Sequence, residues 1–226
     1  LSQVIDEYSR MTGGLIRQED LGAYKPSWTK PVKMAYKGYD IWELPPNGQG
    51  IVVSAALDIL NNITPPTIDP VEKLHIQIEA LKASLTDGKK VIADPTYMKI
   101  STDDFLSEES RLNRQRRISA TAHLPDCADV SDGGTVYACT ADKDGNSVSL
   151  IQSNYDGFGS GIVIPGTGIA LNNRGRNFSA DPTSPNAVGP RKKSYHTIIP
   201  SFLSKDGIPI GPFGIMGAFM QPQGQL

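Results

Sequence analysis

Thr135 follows two glycines in "DGGTVYACTADKDG", Asp132 to Gly145, and a hydroxyl residue so placed is either the entry to a strand or the far side of a bond built for cutting. Were the chain cut before it, Thr135 would carry a nucleophilic hydroxyl together with an α-amino group whose reference pKa is about 7.7 to 8.0. Such an amine takes up the hydroxyl proton near neutral pH, so one residue would supply both nucleophile and base. The cut itself could come from the same oxygen attacking the Gly134 carbonyl, an N-to-O acyl shift followed by hydrolysis. The preceding glycines tolerate the backbone geometry that this attack requires. Taken alone, a Gly-Gly-Thr step is still a common loop-to-strand junction. No G-x-S-x-G elbow offers a competing nucleophile. Cys127 and Cys139 are too few for a disulfide framework and have no His or carboxylate at ligand spacing, so they read as structural or incidental thiols. His75 lies beside an apolar stripe without a partner at ligand spacing and reads as a surface or core-edge histidine.

The elements that must position Thr135 change character near Gly134. Before it, helices dominate. "SQVIDEYSRM" reads as a helix stopped by Gly13 and Gly14, which accept the left-handed conformation of a helix exit. "VKMAYKGYDIWELPP" alternates around Lys37-Gly38 as two strands and a tight turn. "NGQG" leads into "IVVSAALDIL", a helix of small residues. A glycine-rich turn there can offer N–H groups to an anion, but without the lysine and spacing of a phosphate loop it reads as a packing turn. Val71, Leu74, Ile78, Leu81 and Leu85 keep three- and four-residue spacing and predict a helix with that stripe in the core. "DDFLSEES" and "RLNRQRR" run from acidic to basic, as the helix dipole favours, and predict one solvated helix.

From Thr135 onward, strands and turns take over. "TVYACTA" and "NSVSLIQS" flank the reversal "DKDG"; "GIVIPGTGIALNN" reads as glycine-broken sheet; "DPTSPNAVGPRKKS" is a Pro-rich surface connection; Asp206-Gly207 marks another hairpin.

With 226 residues and a net charge of -2, the chain suits one large domain or parts of two, and the absence of a large basic block argues against a dedicated nucleic-acid binder. No apolar run reaches the roughly 18 to 20 residues that span a bilayer. A basic stretch followed by an apolar one is also missing at the start. The sequence opens at Leu1 without methionine, so this says little about a leader upstream.

The ordered blocks "TVYACTADKDGN", "FGSG", "PGTGI" and "LNN" resemble the start of the small subunit of γ-glutamyltranspeptidases and their cephalosporin-acylase-like relatives, which are N-terminal nucleophile hydrolases. "GGLIRQEDLGAYKP", "YKGYDIWELPPNGQG" and "IEALKASLTDGKKVIADPTY" are similar to the later half of that family's large subunit; "YHTIIPSF" and "FGIMGAFMQPQG" are similar to segments further along the small one. The resemblance implies the middle of a longer precursor, with 1-134 the C-terminal part of the large-subunit region and 135-226 the N-terminal part of the small. It implies an α+β fold, a four-layer αββα sandwich incomplete here at both ends. Two subunits cut from one precursor would then be partners; self-association stays open. The chemistry requires no metal or organic cofactor.

Carried over residue by residue, Thr135 becomes the nucleophile for both self-cleavage and catalysis, with Gly134 the last residue before the cut. Ser153 stands where a second threonine touches that nucleophile, and a serine can make the same bonds. Gly217 and Ala218 stand at paired glycines whose N–H groups form an oxyanion hole. Departures cluster in the substrate positions. Asn177 stands at an acidic residue that binds a γ-glutamyl α-amino group, a loss of about 1.5 to 3 kcal/mol of charge-assisted bonding. Arg174 replaces a glutamine. Tyr195 and His196 replace a serine pair that holds the α-carboxylate; His196 could carry charge near neutral pH, and both could instead simply hold the loop. "LNNRG", "YHTIIP" and "MQPQG" together are more similar to the acylase-like and hydrolase branch, which implies mainly hydrolysis of γ-glutamyl or related acyl amides, and Arg174 with His196 implies a pocket that could take an acidic acyl group such as glutaryl. A true γ-glutamyltransferase acting on glutathione and a catalytically silent binding homologue are the alternatives.

Overall fold

The computed structural model describes residues 1–65, 69–124 and 134–226, so Cys127 and Gly133 lie outside the described residues. Helix α1, Ser2–Met11, ends just before Gly13, whose φ of 73° is the left-handed exit that the sequence signals. The short α2, Gln18–Ala23, follows. Strands β1, Val32–Tyr36, and β2, Tyr39–Glu43, pair antiparallel through Lys37-Gly38, both at positive φ as a tight hairpin turn demands. Helix α3, Gly50–Asn61, is buried along most of its length. Helix α4, Pro70–Val91, starts with proline in its first turn and with the Asp69 carboxylate accepting from the Val71 N–H at 2.9 Å.

Two expectations about helix faces are corrected. Of the predicted stripe Leu81 is buried and Leu85 packs against the core, but Val71, Leu74 and Ile78 are 74%, 55% and 48% exposed; the buried side of α4 runs through Ile76, Ala80, Leu81, Ala83, Ser84 and Gly88. The reason is the closeness of α3. A Cβ on Gly88 would lie 2.5 Å from Val52 Cγ2, so no larger residue fits that contact, and the small face through Ala80, Ala83, Ser84 and Gly88 turns toward α3 while Val71, Leu74 and Ile78 stay outside. The acidic-to-basic stretch, predicted as one solvated helix, forms α5, Thr102–Phe105, and α6, Glu108–Gln115. Ser107 separates them by capping the second, its hydroxyl accepting from the Ser110 N–H at 3.3 Å. Arg114 is buried there, not solvated. It donates to Asp87 Oδ2 and the Phe105 carbonyl, both at 2.9 Å, and its guanidinium lies 4.1 Å from the Phe105 ring centroid. A carboxylate, a carbonyl and a ring face offset part of its desolvation, which remains the larger effect and holds its pKa below the usual value.

After Gly134 come the hairpin β3, Gly134–Ala141, and β4, Ser147–Tyr155; the two-residue pair β5, Val163–Ile164, and β6, Ile169–Ala170; and the hairpin β7, Ser201–Lys205, and β8, Ile208–Phe213. Helix α7, Gln221–Gln225, is the last element. In the turn of the first hairpin, Asp142 Oδ1 accepts from the Asp144 and Asn146 N–H groups, each at 2.9 Å. The four-stranded sheet has the order β1-β2-β7-β8, so strands from both sides of Gly134 share it. Ile41 pairs with Leu203, and Trp42 Nε1 donates to Ser204 Oγ at 2.8 Å. Two clusters of buried side chains flank the sheet and α3: Ile51, Val52, Ala55, Ala56, Leu81, Ile92, Phe105 and Tyr195 in one; Ile41, Val53, Leu57 and Ile199 in the other.

The β3-β4 hairpin is seated on the end of this sheet through Gly214, where an added Cβ would lie 2.6 Å from the Tyr137 ring. Tyr137 is held in turn by its hydroxyl, 3.1 Å from Ser149 Oγ. Gly214→Ala is expected to cost about 1–3 kcal/mol through overpacking, read by urea unfolding. An unchanged midpoint would show that the hairpin yields without penalty.

Candidate active site

Thr135 enters β3 at an irregularity in the hairpin register. Gly134 pairs with Tyr155 and Thr135 with Ser153, which leaves Asn154 as an extra residue and bends the strands at the Gly134-Thr135 step. Thr135 Oγ1 donates to Ser153 Oγ at 3.1 Å, and the same Ser153 oxygen accepts from the Tyr155 N–H at 2.9 Å. The pairing of these two hydroxyls is therefore a consequence of register. Tyr155, buried, holds a φ of 79°, unusual for a bulky residue and a mark of backbone strain beside the bulge.

The blocks "FGSG" and "LNN" meet next to this bulge. Gly159 has a φ of 73°, and a Cβ there would lie 2.5 Å from the Leu171 carbonyl oxygen, so only glycine fits. That carbonyl accepts from the Ser160 N–H at 2.9 Å and the Ser160 hydroxyl at 2.8 Å. The Asn173 N–H donates to the Asn154 carbonyl, and Asn173 Oδ1 accepts from the Asp156 N–H, both at 3.1 Å. These bonds bring the 3-10 turn Arg174–Asn177 onto the bulge. The Arg174 guanidinium lies 4.4 Å from the Tyr155 ring centroid, and its Nη1 donates to Thr197 Oγ1 at 2.7 Å. Among the described residues no carboxylate forms an ion pair with Arg174; the nearby Asp156 is bound by Arg176 at 2.5 Å. Burial holds the Arg174 pKa below its usual value, but the group remains a cation.

Asn177 Nδ2 donates to the Tyr195 carbonyl at 3.1 Å, and Asn186 closes the loop by accepting from the Tyr195 N–H at 2.9 Å and donating to the Asn177 carbonyl at 2.6 Å. The Tyr195 hydroxyl is not exposed: the residue is buried, and its O–H donates to Gln49 Oε1 at 3.0 Å. His196 does not carry the charge expected of it near neutral pH. Burial and the adjacent Arg174 cation push its pKa down to about 4, and its Nδ1 accepts from the Ile198 N–H at 3.2 Å, so it is a neutral imidazole.

Gly217 has a φ of 122° and Ala218 a φ of 49°, so both sites of the expected N–H pair are left-handed. For alanine this costs about 1–2 kcal/mol. The turn is closed by the Met220 N–H donating to the Gly217 carbonyl at 2.8 Å. Thr135 and Ser153 thus touch directly; Arg174 joins them through Tyr155, and Tyr195, Thr197 and Ala218 are gathered by one residue, Gln49. Sequence reasoning missed Gln49, Tyr155, Asn186 and Thr197. Only Gln49 had a signal, the packing turn "NGQG". Among the described residues no three His, Cys, Asp or Glu are grouped to hold a metal, and Cys139 is an exposed free thiol.

A family model described as gamma-glutamyltranspeptidase matches residues 1–226. The chain is 35% identical to a glutathione hydrolase-like YwrD proenzyme of Bacillus subtilis, covering 100% of this chain and 43% of that protein. It is 32% identical to an oxamate amidohydrolase proenzyme of Klebsiella pneumoniae, over 91% of this chain and 39% of that protein. Among solved structures, a cephalosporin acylase from Bacillus halodurans shares 47% identity and a TM-score of 0.88, covering 99% of this chain and 41% of that one. The chain therefore spans less than half the length of these relatives.

Proposed function

The chain belongs to the gamma-glutamyltranspeptidase family, and from that premise we propose that it is the central part of a self-processing threonine amidohydrolase. The contact between Thr135 Oγ1 and Ser153 Oγ at a strand bulge is the observation that carries this reading. In the precursor, Thr135 Oγ attacks the Gly134 carbonyl, the peptide C–N bond breaks, and an ester with a free Thr135 amine forms. Water then hydrolyses that ester to leave the Gly134 carboxylate and a new N-terminal threonine. In turnover the amine takes the hydroxyl proton as Oγ attacks the acyl carbonyl, and passes it to the departing amine. Ser153 orients the hydroxyl, and the Gly217 and Ala218 N–H groups receive the developing oxyanion. Hydrolysis of the acyl-threonine ester completes the cycle. The relatives' names, hydrolases and an acylase, support water over an amino acid as the acceptor. Residues 1-134 and 135-226 then belong to the large and small subunits of one precursor, and together with the remainder they complete the αββα sandwich.

The substrate class follows from Arg174. A half-buried guanidinium stacked on Tyr155, with Thr197 as its side-chain partner and neutral His196 beside it, favours an acyl group ending in a carboxylate such as glutaryl. It disfavours the ammonium of a γ-glutamyl group, for which Asn177 supplies no charge; Asn177 and Tyr195 hold the loop around Arg174 through the Asn177 bond to the Tyr195 carbonyl. The test compares glutaryl, γ-glutamyl and simple acyl amides on the full-length protein, with and without a dipeptide acceptor. Glutaryl hydrolysis should lead, and Arg174→Gln should raise KM for it by about 10- to 100-fold while sparing the simple acyl amide, the worth of one charge-assisted contact. Acceptor-stimulated γ-glutamyl turnover would establish a transferase instead, and failure of Thr135 to react with a covalent acylating inhibitor would establish a silent homologue.

A further inference from the structure

Gln49 is fully buried, and every polar group of its side chain is engaged: Nε2 donates to the Thr197 carbonyl at 2.7 Å and the Ala218 carbonyl at 3.0 Å, while Oε1 accepts from the Tyr195 hydroxyl at 3.0 Å. Its backbone belongs to the same knot. The Gln49 N–H donates to the His196 carbonyl at 3.0 Å, the His196 N–H donates to the Asn47 carbonyl at 2.8 Å, and Gly48 and His196 form a parallel bridge. Thr197 and Ala218 lie 148 and 169 positions away along the chain, so one side chain from before the cleavage point ties together two separate segments from after it.

We infer that Gln49 is the positioning residue of the site, holding the Ala218 turn in its left-handed conformation and the Thr197 arm against Arg174. This rests on the reading of Thr135 as nucleophile and Gly217-Ala218 as the oxyanion turn. A strained conformation persists only where its surroundings over-determine it, and Ala218 at a φ of 49° needs such a constraint. The Ala218 N–H, the proposed oxyanion donor, shares its peptide plane with the Gly217 carbonyl, which the Met220 N–H holds at 2.8 Å; the Gln49 bond to the Ala218 carbonyl holds the following plane, and the two together pin Ala218 at its positive φ. The second Nε2 hydrogen fixes the Thr197 backbone, whose hydroxyl is the acceptor for Arg174. A primary amide alone supplies two donors and an acceptor in this fork. A carboxylate of the same size would set its oxygens against two carbonyl oxygens.

The two arms separate in kinetics, using the full-length processed protein. Gln49→Met should lower kcat by about tenfold to a hundredfold, less than the roughly 10²- to 10³-fold cost of removing an oxyanion donor outright because here the donor is only displaced, and should also raise KM for a glutaryl amide. Glycine accepts positive φ without strain, so the decisive measurement is a double-mutant cycle with Ala218→Gly. In that background the kcat loss caused by Gln49→Met should shrink about tenfold, while the KM rise, which comes through Thr197 and Arg174, should persist. Additive kcat effects would overturn the inference, because a merely structural Gln49 has no reason to couple to the φ of one alanine. If Gln49→Met does not accumulate, Gln49→Glu carries the same cycle, and its kcat should recover as pH falls and the new carboxyl gains a donor proton; a flat profile with additive effects overturns the inference equally. Wild-type turnover that survives Thr135→Ala is a different result: it removes the nucleophile assignment itself.

Discussion

Thr135→Ala is expected to leave the full-length precursor as one uncut chain and to lower amide hydrolysis by on the order of 10⁴-fold or more, the scale on which loss of a covalent nucleophile is felt. Mass spectrometry of the wild type should find a fragment beginning at Thr135, absent from the variant. The physical reason is that both events use the same oxygen. Without Oγ1 there is no group to attack the Gly134 carbonyl, and without the cut there is no α-amine to serve as base. Thr135→Ser keeps the hydroxyl and should still process. Ser153→Ala keeps the nucleophile but deletes the oxygen 3.1 Å from it, and should slow processing and turnover by about 100-fold, toward the lower range of acid-base and orienting groups. Full-length wild-type protein that hydrolyses amides without ever being cut would refute the assignment, as would a Thr135→Ala variant that still releases the fragment.

What the sequence made visible was local. Lys37-Gly38, "DKDG" and Asp206-Gly207 each announce a hairpin because positive φ and Asx turns are written into single residues, and all three hairpins form. The Thr135-Ser153 contact was legible through the family resemblance, and the geometry supplies its cause, a register in which the two residues pair. Non-local compensation stayed hidden. Arg114 looked solvated because nothing near it in sequence reveals that Asp87 and the Phe105 carbonyl wait to receive it. The stripe Val71, Leu74 and Ile78 has ideal helical spacing, but close packing against α3 selects the small face instead, a choice that depends on the partner. His196 looked titratable for the same reason. Its neutrality comes from burial and from Arg174, which only the folded chain brings together.

Glu43→Gln is expected to change the pH dependence of stability more than any other substitution outside the proposed site. Glu43 ends β2 and is only 1% exposed. Ser201 Oγ donates to its Oε1 at 2.6 Å, but among the described residues Oε2 has no hydrogen-bond partner; it packs beside Gly50 at the start of α3, where an added Cβ would lie 2.9 Å away. Desolvation therefore dominates, outweighs the Ser201 bond, and raises the pKa from the usual 4.5 to about 8. The folded state then holds a proton that the unfolded chain releases above pH 4.5. Stability is full below that value, falls as pH rises from 4.5 towards 8, and levels off beyond, because across this window the native state binds more protons. The total loss is roughly 4 to 5 kcal/mol, at about 1.4 kcal/mol per pH unit. Glutamine keeps the acceptor for Ser201 and never ionises, so urea unfolding should find the variant close to wild type at pH 5 and more stable by several kcal/mol at pH 9. Parallel pH profiles for the two proteins would mean that Glu43 is ionised in the fold, and that the packing beside Gly50 admits a charge which its burial forbids.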